Sequence, residues 1–138
     1  MSYPLINFKA LFIGIALIII FGLLFQLFFI IAATGFTVVL QDYPQLETAS
    51  QIVSYIIGGT SYFFIMSGSG YVTASVAEKN INLHTFLIAS LTTSISLVTS
   101  IREDSYTLNS ILFVIAGIAF SMIGGHIWVR HENITPQV

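Results

Sequence analysis

The chain has no cysteine. Disulfides, thiolate nucleophiles, Cys-bound zinc and iron–sulfur clusters are therefore excluded, and no redox compartment is indicated. Charge is nearly as scarce, at 7 % of residues, where a soluble domain carries about 25 %. A water-facing surface cannot be covered at that density, so a soluble globular protein is excluded. The net charge of −2 and the lack of any basic run leave no footprint for nucleic acid.

What is present is apolar: 56 % of residues are hydrophobic, and twelve of the 138 are Phe. Four stretches carry no charge at all, at 10–41, 48–77, 80–101 and 105–129, bounded by Lys9, Asp42, Glu47, Glu78, Lys79, Arg102, Asp104 and Arg130. Each exceeds the roughly 20 residues that cross a bilayer core. An Arg, Lys or Asp at mid-depth costs about 2.5–3.5 kcal/mol to insert, so clean gaps of this length read as a membrane constraint. The expected fold is all-α: an integral membrane bundle of four transmembrane helices, up-down-up-down, in one domain spanning 1–138. The predicted spans are about 8–34, 50–77, 83–101 and 107–130. The short connections leave no room for an extramembrane domain. The run Leu11 to Ala33 is longer than the 7–15 residues of a signal-peptide core, so it reads as a retained first helix.

Several local signals refine this outline. Residues Gly35 to Leu40 are expected to leave the membrane ahead of Asp42-Tyr43-Pro44, and Pro44 biases Tyr43 away from helical geometry. Ser67-Gly68-Ser69-Gly70 is a candidate break in the long second helix. Tyr3, Tyr43, Tyr106 and Trp128 fall near span ends, as interfacial belt residues do. One side of the bundle would hold both termini and the 78–82 turn, with Lys9, Lys79 and Arg130; the other would hold Arg102 with Asp42, Glu47, Glu103 and Asp104. Three basic residues against one place both termini in the cytoplasm. A faint repeat relates Gly68-Ser69-Gly70-Tyr71-Val72 in helix 2 to Ile123-Gly124-Gly125-His126-Ile127 in helix 4, although helices 1 and 3 share almost nothing.

The run Gly70-Tyr71-Val72-Thr73-Ala74-Ser75-Val76-Ala77, the pair Leu83-His84 and the late Gly124-Gly125 carry a resemblance. They are similar to a pattern in small uncharacterised four-span bacterial membrane proteins, where Gly-Gly-Tyr-Val/Ile precedes an Ala-rich helix, Leu-His opens helix 3 and Gly-Gly closes the last helix. Ser69 stands here where the first Gly of that pattern usually stands. The resemblance implies the four-span architecture and a bacterial inner membrane. It brings no activity with it.

Small residues recur at helical spacing. Thr85, Ala89, Thr92, Ser96 and Thr99 share one face of helix 3, widened by Thr93 and Ser100. Gly117, Ser121 and Gly125 repeat every four residues in helix 4, and helix 1 offers Ala10-xxx-Gly14 with Gly22 further on. Hydrophobicity cannot draw helices together in lipid, because acyl chains are as apolar as Leu; close backbone approach and interhelical hydrogen bonds do that work. These are read as helix-packing faces. A sharper alternative makes Ser67, Ser69, Thr92 and Ser96 a solute site between helices 2 and 3. No span has an acid or base at mid-depth, as ion-coupled transporters usually do, and only Gln26 lies deep in helix 1. His84 and His126 stand at similar depth, which allows a bis-His haem as a third alternative. His126 and His131 fall on different helix faces, a poor metal pair.

No set of residues suggests catalysis. The expected function is a non-catalytic structural or accessory membrane subunit that works by helix–helix association. Its partners would be the bilayer and a homo-oligomer or larger membrane complex, with no nucleic acid, no cofactor and no metal. The alternatives are a small transporter or channel for an uncharged or weakly polar solute, and a haem-binding redox subunit.

Overall fold

The computed structural model describes residues 6–77, 79–102 and 108–134, with side chains for all of these except 96, 99–102 and 134. Among them the chain is all-helical: α1 Phe8–Asp42, a short 3-10 turn Pro44–Leu46, α2 Glu47–Ala77, α3 Ile81–Arg102 and α4 Leu108–Ile134. By length and composition α1, α2 and α4 could each cross a membrane; the continuous part of α3 with described side chains, Ile81–Ile95, is apolar as well.

Local chemistry sets the helix ends. Asn7 caps α1, its side-chain oxygen accepting from the N–H groups of Lys9 and Ala10 at 3.1 and 3.3 Å, which satisfies two of the four orphan donors of a helix start. At the far end Tyr43 leaves helical geometry (φ −132°, ψ 69°) ahead of Pro44. Between α2 and α3 the chain reverses at Asn80, whose φ of 53° lies in the left-handed region that Asn tolerates better than most residues. The Asn80 carbonyl then accepts from the N–H groups of Leu83 and His84 and starts α3.

Two expectations change. α1 does not stop near residue 34; its 35 residues run on to Asp42, since no proline intervenes before Pro44. The break sought at Ser67–Gly70 is absent: α2 is continuous over 31 residues. The glycine there is a contact point. A Cβ on Gly70 would collide with the backbone of Ser121, and a Cβ on Gly124 would collide with the backbone of Ser67. The two helices therefore touch backbone to backbone through Ser67-x-x-Gly70 and Ser121-x-x-Gly124, each Gly receiving the other helix's Ser.

The α2–α4 crossing is the centre of the bundle. Towards the 103–107 connection it continues through rings: Tyr62 meets Phe113 and Phe120 edge-on, and Phe63 meets Phe120 at 5.0 Å. Towards the 78–80 turn it ends in Tyr71 set edge-on against Trp128 at 5.2 Å. α3 lies against α4, α2 and α1, while α1 rests on α2 and α3. The buried residues cluster at the end near the 78–80 turn: Ala10, Gly14, Met66, Thr73, Ala74, Thr85, Ile88 and Ala89 are among them. The far halves of α1 and α2 are exposed nearly all round.

Gly70→Ala or Gly124→Ala should destabilise the fold by about 1–3 kcal/mol, the usual cost of overfilling a tight contact, because backbone cannot rotate aside. Gly68→Ala, where a Cβ meets nothing within 4 Å, should be neutral or stabilise by about 0.5–1 kcal/mol through helix propensity. Unfolding in micelles measures both; equal behaviour of Gly68 and Gly70 would contradict the crossing.

Candidate functional site

The polar side chains gather where α1, α2 and α3 meet. Asn7 stands at the start of α1, and His84 lies buried in the first turn of α3. The Asn7 main-chain N–H donates to His84 Nε2 at 2.7 Å. That acceptor role places the ring proton on Nδ1, which donates to the Asn80 carbonyl at 3.0 Å. The Asn7 side-chain amide donates to the Val76 carbonyl at 3.1 Å, while its oxygen caps α1. One Asn thus ties the first turn of α1 to the end of α2 and the start of α3.

About two turns deeper, Ser69 donates to the Gly14 carbonyl at 2.9 Å. At Gly14 α1 comes close to both neighbours, since a Cβ there would meet Ile88 and Thr73. Between α3 and α4, Ser121 donates to the Thr85 carbonyl at 3.0 Å, and the Thr85 methyl fills the space over Gly125. Gly117 receives the Tyr62 hydroxyl, the Thr93 methyl and the Met66 methyl, and that hydroxyl donates to the Phe113 carbonyl at 2.9 Å. The stripe Gly117, Ser121 and Gly125 therefore faces the seam of α2 and α3: Gly117 and Ser121 touch both helices, and Gly125 touches α3. Spacing alone did not single out Gly124, although a Cβ there would strike the α2 backbone at Ser67.

Of the sequence-predicted solute residues, Ser67, Ser69 and Thr92 have described side chains. Ser67 has its backbone against Gly124, and Ser69 points to α1. Thr92 donates within its own helix to the Ile88 and Ala89 carbonyls, as Thr85 and Thr93 also do within theirs. Ala89 is fully buried. The side chains of Ser96 and Thr99 lie outside the described residues. The Ser67, Thr73 and Ser90 hydroxyls are buried without a partner, each at a cost of about 1–3 kcal/mol.

The haem alternative loses a ligand, because both ring nitrogens of His84 are held by main-chain groups. His126 is exposed, and His131 stacks on Trp128. Among the described residues no three His, Asp or Glu side chains come together to hold a metal. Tyr43 is exposed at the end of α1, while Tyr3 and Tyr106 lie outside the described residues.

Two clefts open on the other half of the molecule. One, of about 310 Å³, lies between α2, α3 and α4 and is lined by Tyr62, Thr93, Leu97, Asn109, Ser110 and neighbours. The other, of about 160 Å³, separates the outer halves of α1 and α2 and is mostly apolar, with Phe28, Phe36, Leu40 and Ile57 on its walls. Comparison with protein-family models, with curated proteins and with solved structures finds no match. The functional reading therefore comes from these contacts.

Asn7→Ala should remove the cap and the Val76 bond together, and loosen the start of α1 by about 0.5–2 kcal/mol. His84→Phe should leave the Asn7 N–H without an acceptor, at a similar cost. Amide exchange at Lys9, Ala10 and Leu11 reads both; unchanged protection in the two variants would show that Asn7 and His84 do not hold α1.

Proposed function

We propose that this chain is a non-catalytic integral membrane protein whose four helices all cross the bilayer, and that it serves as a structural or accessory subunit by helix–helix association. The observation that carries the proposal is how its polar groups are used. Ser69, Ser121, Tyr62, Asn7 and His84 spend their hydrogen bonds on holding helices together, while large apolar side chains of α1, α2 and α4 face outward. That pattern suits hydrocarbon, where internal satisfaction of polar groups is compulsory and outward Phe, Leu and Ile cost nothing. α3 fits the same setting despite its hydroxyls, because Thr85, Thr92 and Thr93 bond to their own helix. At 1.5 Å per residue α1 is about 50 Å long, so it would tilt or protrude from a core of about 30 Å. The resemblance to small four-span bacterial proteins supports an inner-membrane location, and the Lys and Arg balance supports cytoplasmic termini.

A second reading, a conduit or binding site for a small uncharged solute, is favoured by the cleft beside Tyr62, Thr93, Asn109 and Ser110. It would move the site from the α2–α3 seam to the mouth between α2, α3 and α4. Flux of a small polar solute into vesicles, lost on Asn109→Leu, would favour this reading over the first.

The cysteine-free sequence suits a labelling test. Single cysteines at Gln45 and Ser105 should react from one side of the membrane, and those at Lys79 and Gln137 from the other. The wild-type protein should purify in mild detergent as a stable oligomer. A monodisperse monomer by mass would remove the association reading, and Lys79 labelling from the same side as Gln45 would remove the four-span one.

A further inference from the structure

The outer face of α1 carries a regular seam. Ile19, Leu23, Gln26, Ile30, Ala33 and Thr37 follow one another at spacings of 4, 3, 4, 3 and 4, and all six are exposed. This is the 3.5-residue repeat that keeps one seam facing a partner helix over many turns. Beside it Gly22 has open space where a Cβ would be, which allows close approach. Gln26 is at the middle of the seam and at the middle of the 35-residue helix, far from both charged boundaries, Lys9 and Asp42. Its neighbours Leu23 and Ile30 are 61 % and 54 % exposed, and among the described residues its amide meets no hydrogen-bond partner.

We propose that α1 is the self-association surface of this protein, and that a second copy of the chain docks on this seam with Gln26 paired to Gln26. The inference rests on the membrane-association reading and names its partner. A primary amide in hydrocarbon needs both a donor and an acceptor. A second copy supplies both at the right height, since chains inserted in the same sense hold residue 26 at one depth. In a two-fold contact a residue near the axis faces itself, and two amides can exchange N–H···O bonds in a closed pair. A polar residue at one core position of a helical seam also fixes its register. Ala33 and Thr37 border the apolar cleft between α1 and α2, so the incoming helix would also cover that opening.

The test is cross-linking in native membranes. Leu23→Cys or Ile30→Cys should give a disulfide-linked dimer on mild oxidation, while Leu24→Cys, on the opposite face of α1, should not. Gln26→Leu should weaken dimerisation in mild detergent about fivefold to thirtyfold, and Gln26→Asn, which keeps an amide, should largely restore it. Gln26 is exposed, so neither change threatens the fold. A wild-type oligomer that links through Leu24, or is unaffected by Gln26→Leu, would overturn this surface and leave association standing. A monomeric wild-type protein would overturn both.

Discussion

The bundle depends on two glycines that let α2 and α4 meet backbone to backbone. Gly70 admits the Ser121 carbonyl and Gly124 admits that of Ser67, and the reciprocity fixes both the crossing point and the register of the pair. Everything else is arranged around that point. The ring cluster of Tyr62, Phe63, Phe113 and Phe120 extends the contact in one direction, and Tyr71 with Trp128 closes it in the other. α3 can then reach α4 through Thr85 and Gly125, and α1 can reach α2 through Ser69 and Gly14.

Such a centre follows from the solvent the protein is proposed to occupy. Burying Leu against Leu gains little in hydrocarbon, so attraction must come from dispersion at short range and from hydrogen bonds that lipid cannot supply. The side chains at the points of closest approach are accordingly small or hydroxylic, with rings packed to either side of the α2–α4 crossing, and many large ones, Phe12, Leu27, Phe28 and Phe64 among them, face outward. Among the described residues three orphan hydroxyls remain inside, on Ser67, Thr73 and Ser90. They are tolerated because a serine or threonine is also a small spacer, and replacing it with a larger apolar side chain would push the backbones apart.

Much of this outline was legible in the sequence, because charge and turn chemistry act locally. The gaps between charged residues gave the helices, Pro44 marked one turn and the Glu78 to Asn82 segment the other. Residue size marked Gly14, Gly117, Ser121 and Gly125 as places of close approach. Composition misled where the deciding partner lay elsewhere in the chain. Ser67-Gly68-Ser69-Gly70 has the makeup of a broken helix, yet another helix's backbone lies against it and it stays wound. Residues 35–40 read as leaving the membrane ahead of Asp42-Tyr43-Pro44, yet the helix runs on through them to Asp42. Asn7 and His84 are 77 positions apart, and nothing local to either announces the other.

The buried attachment of α1 is confined to its first two turns, at Ala10, Leu11 and Gly14, with the rest of its length outside the buried core. From Gly14 to Asp42 the helix extends roughly 42 Å at 1.5 Å per residue. A rotation of about ten degrees about Gly14 would carry the far end through roughly 7 Å over that arm. The far end of α1 is therefore held by the turn at Pro44–Leu46 and by its run along α2, not by buried packing.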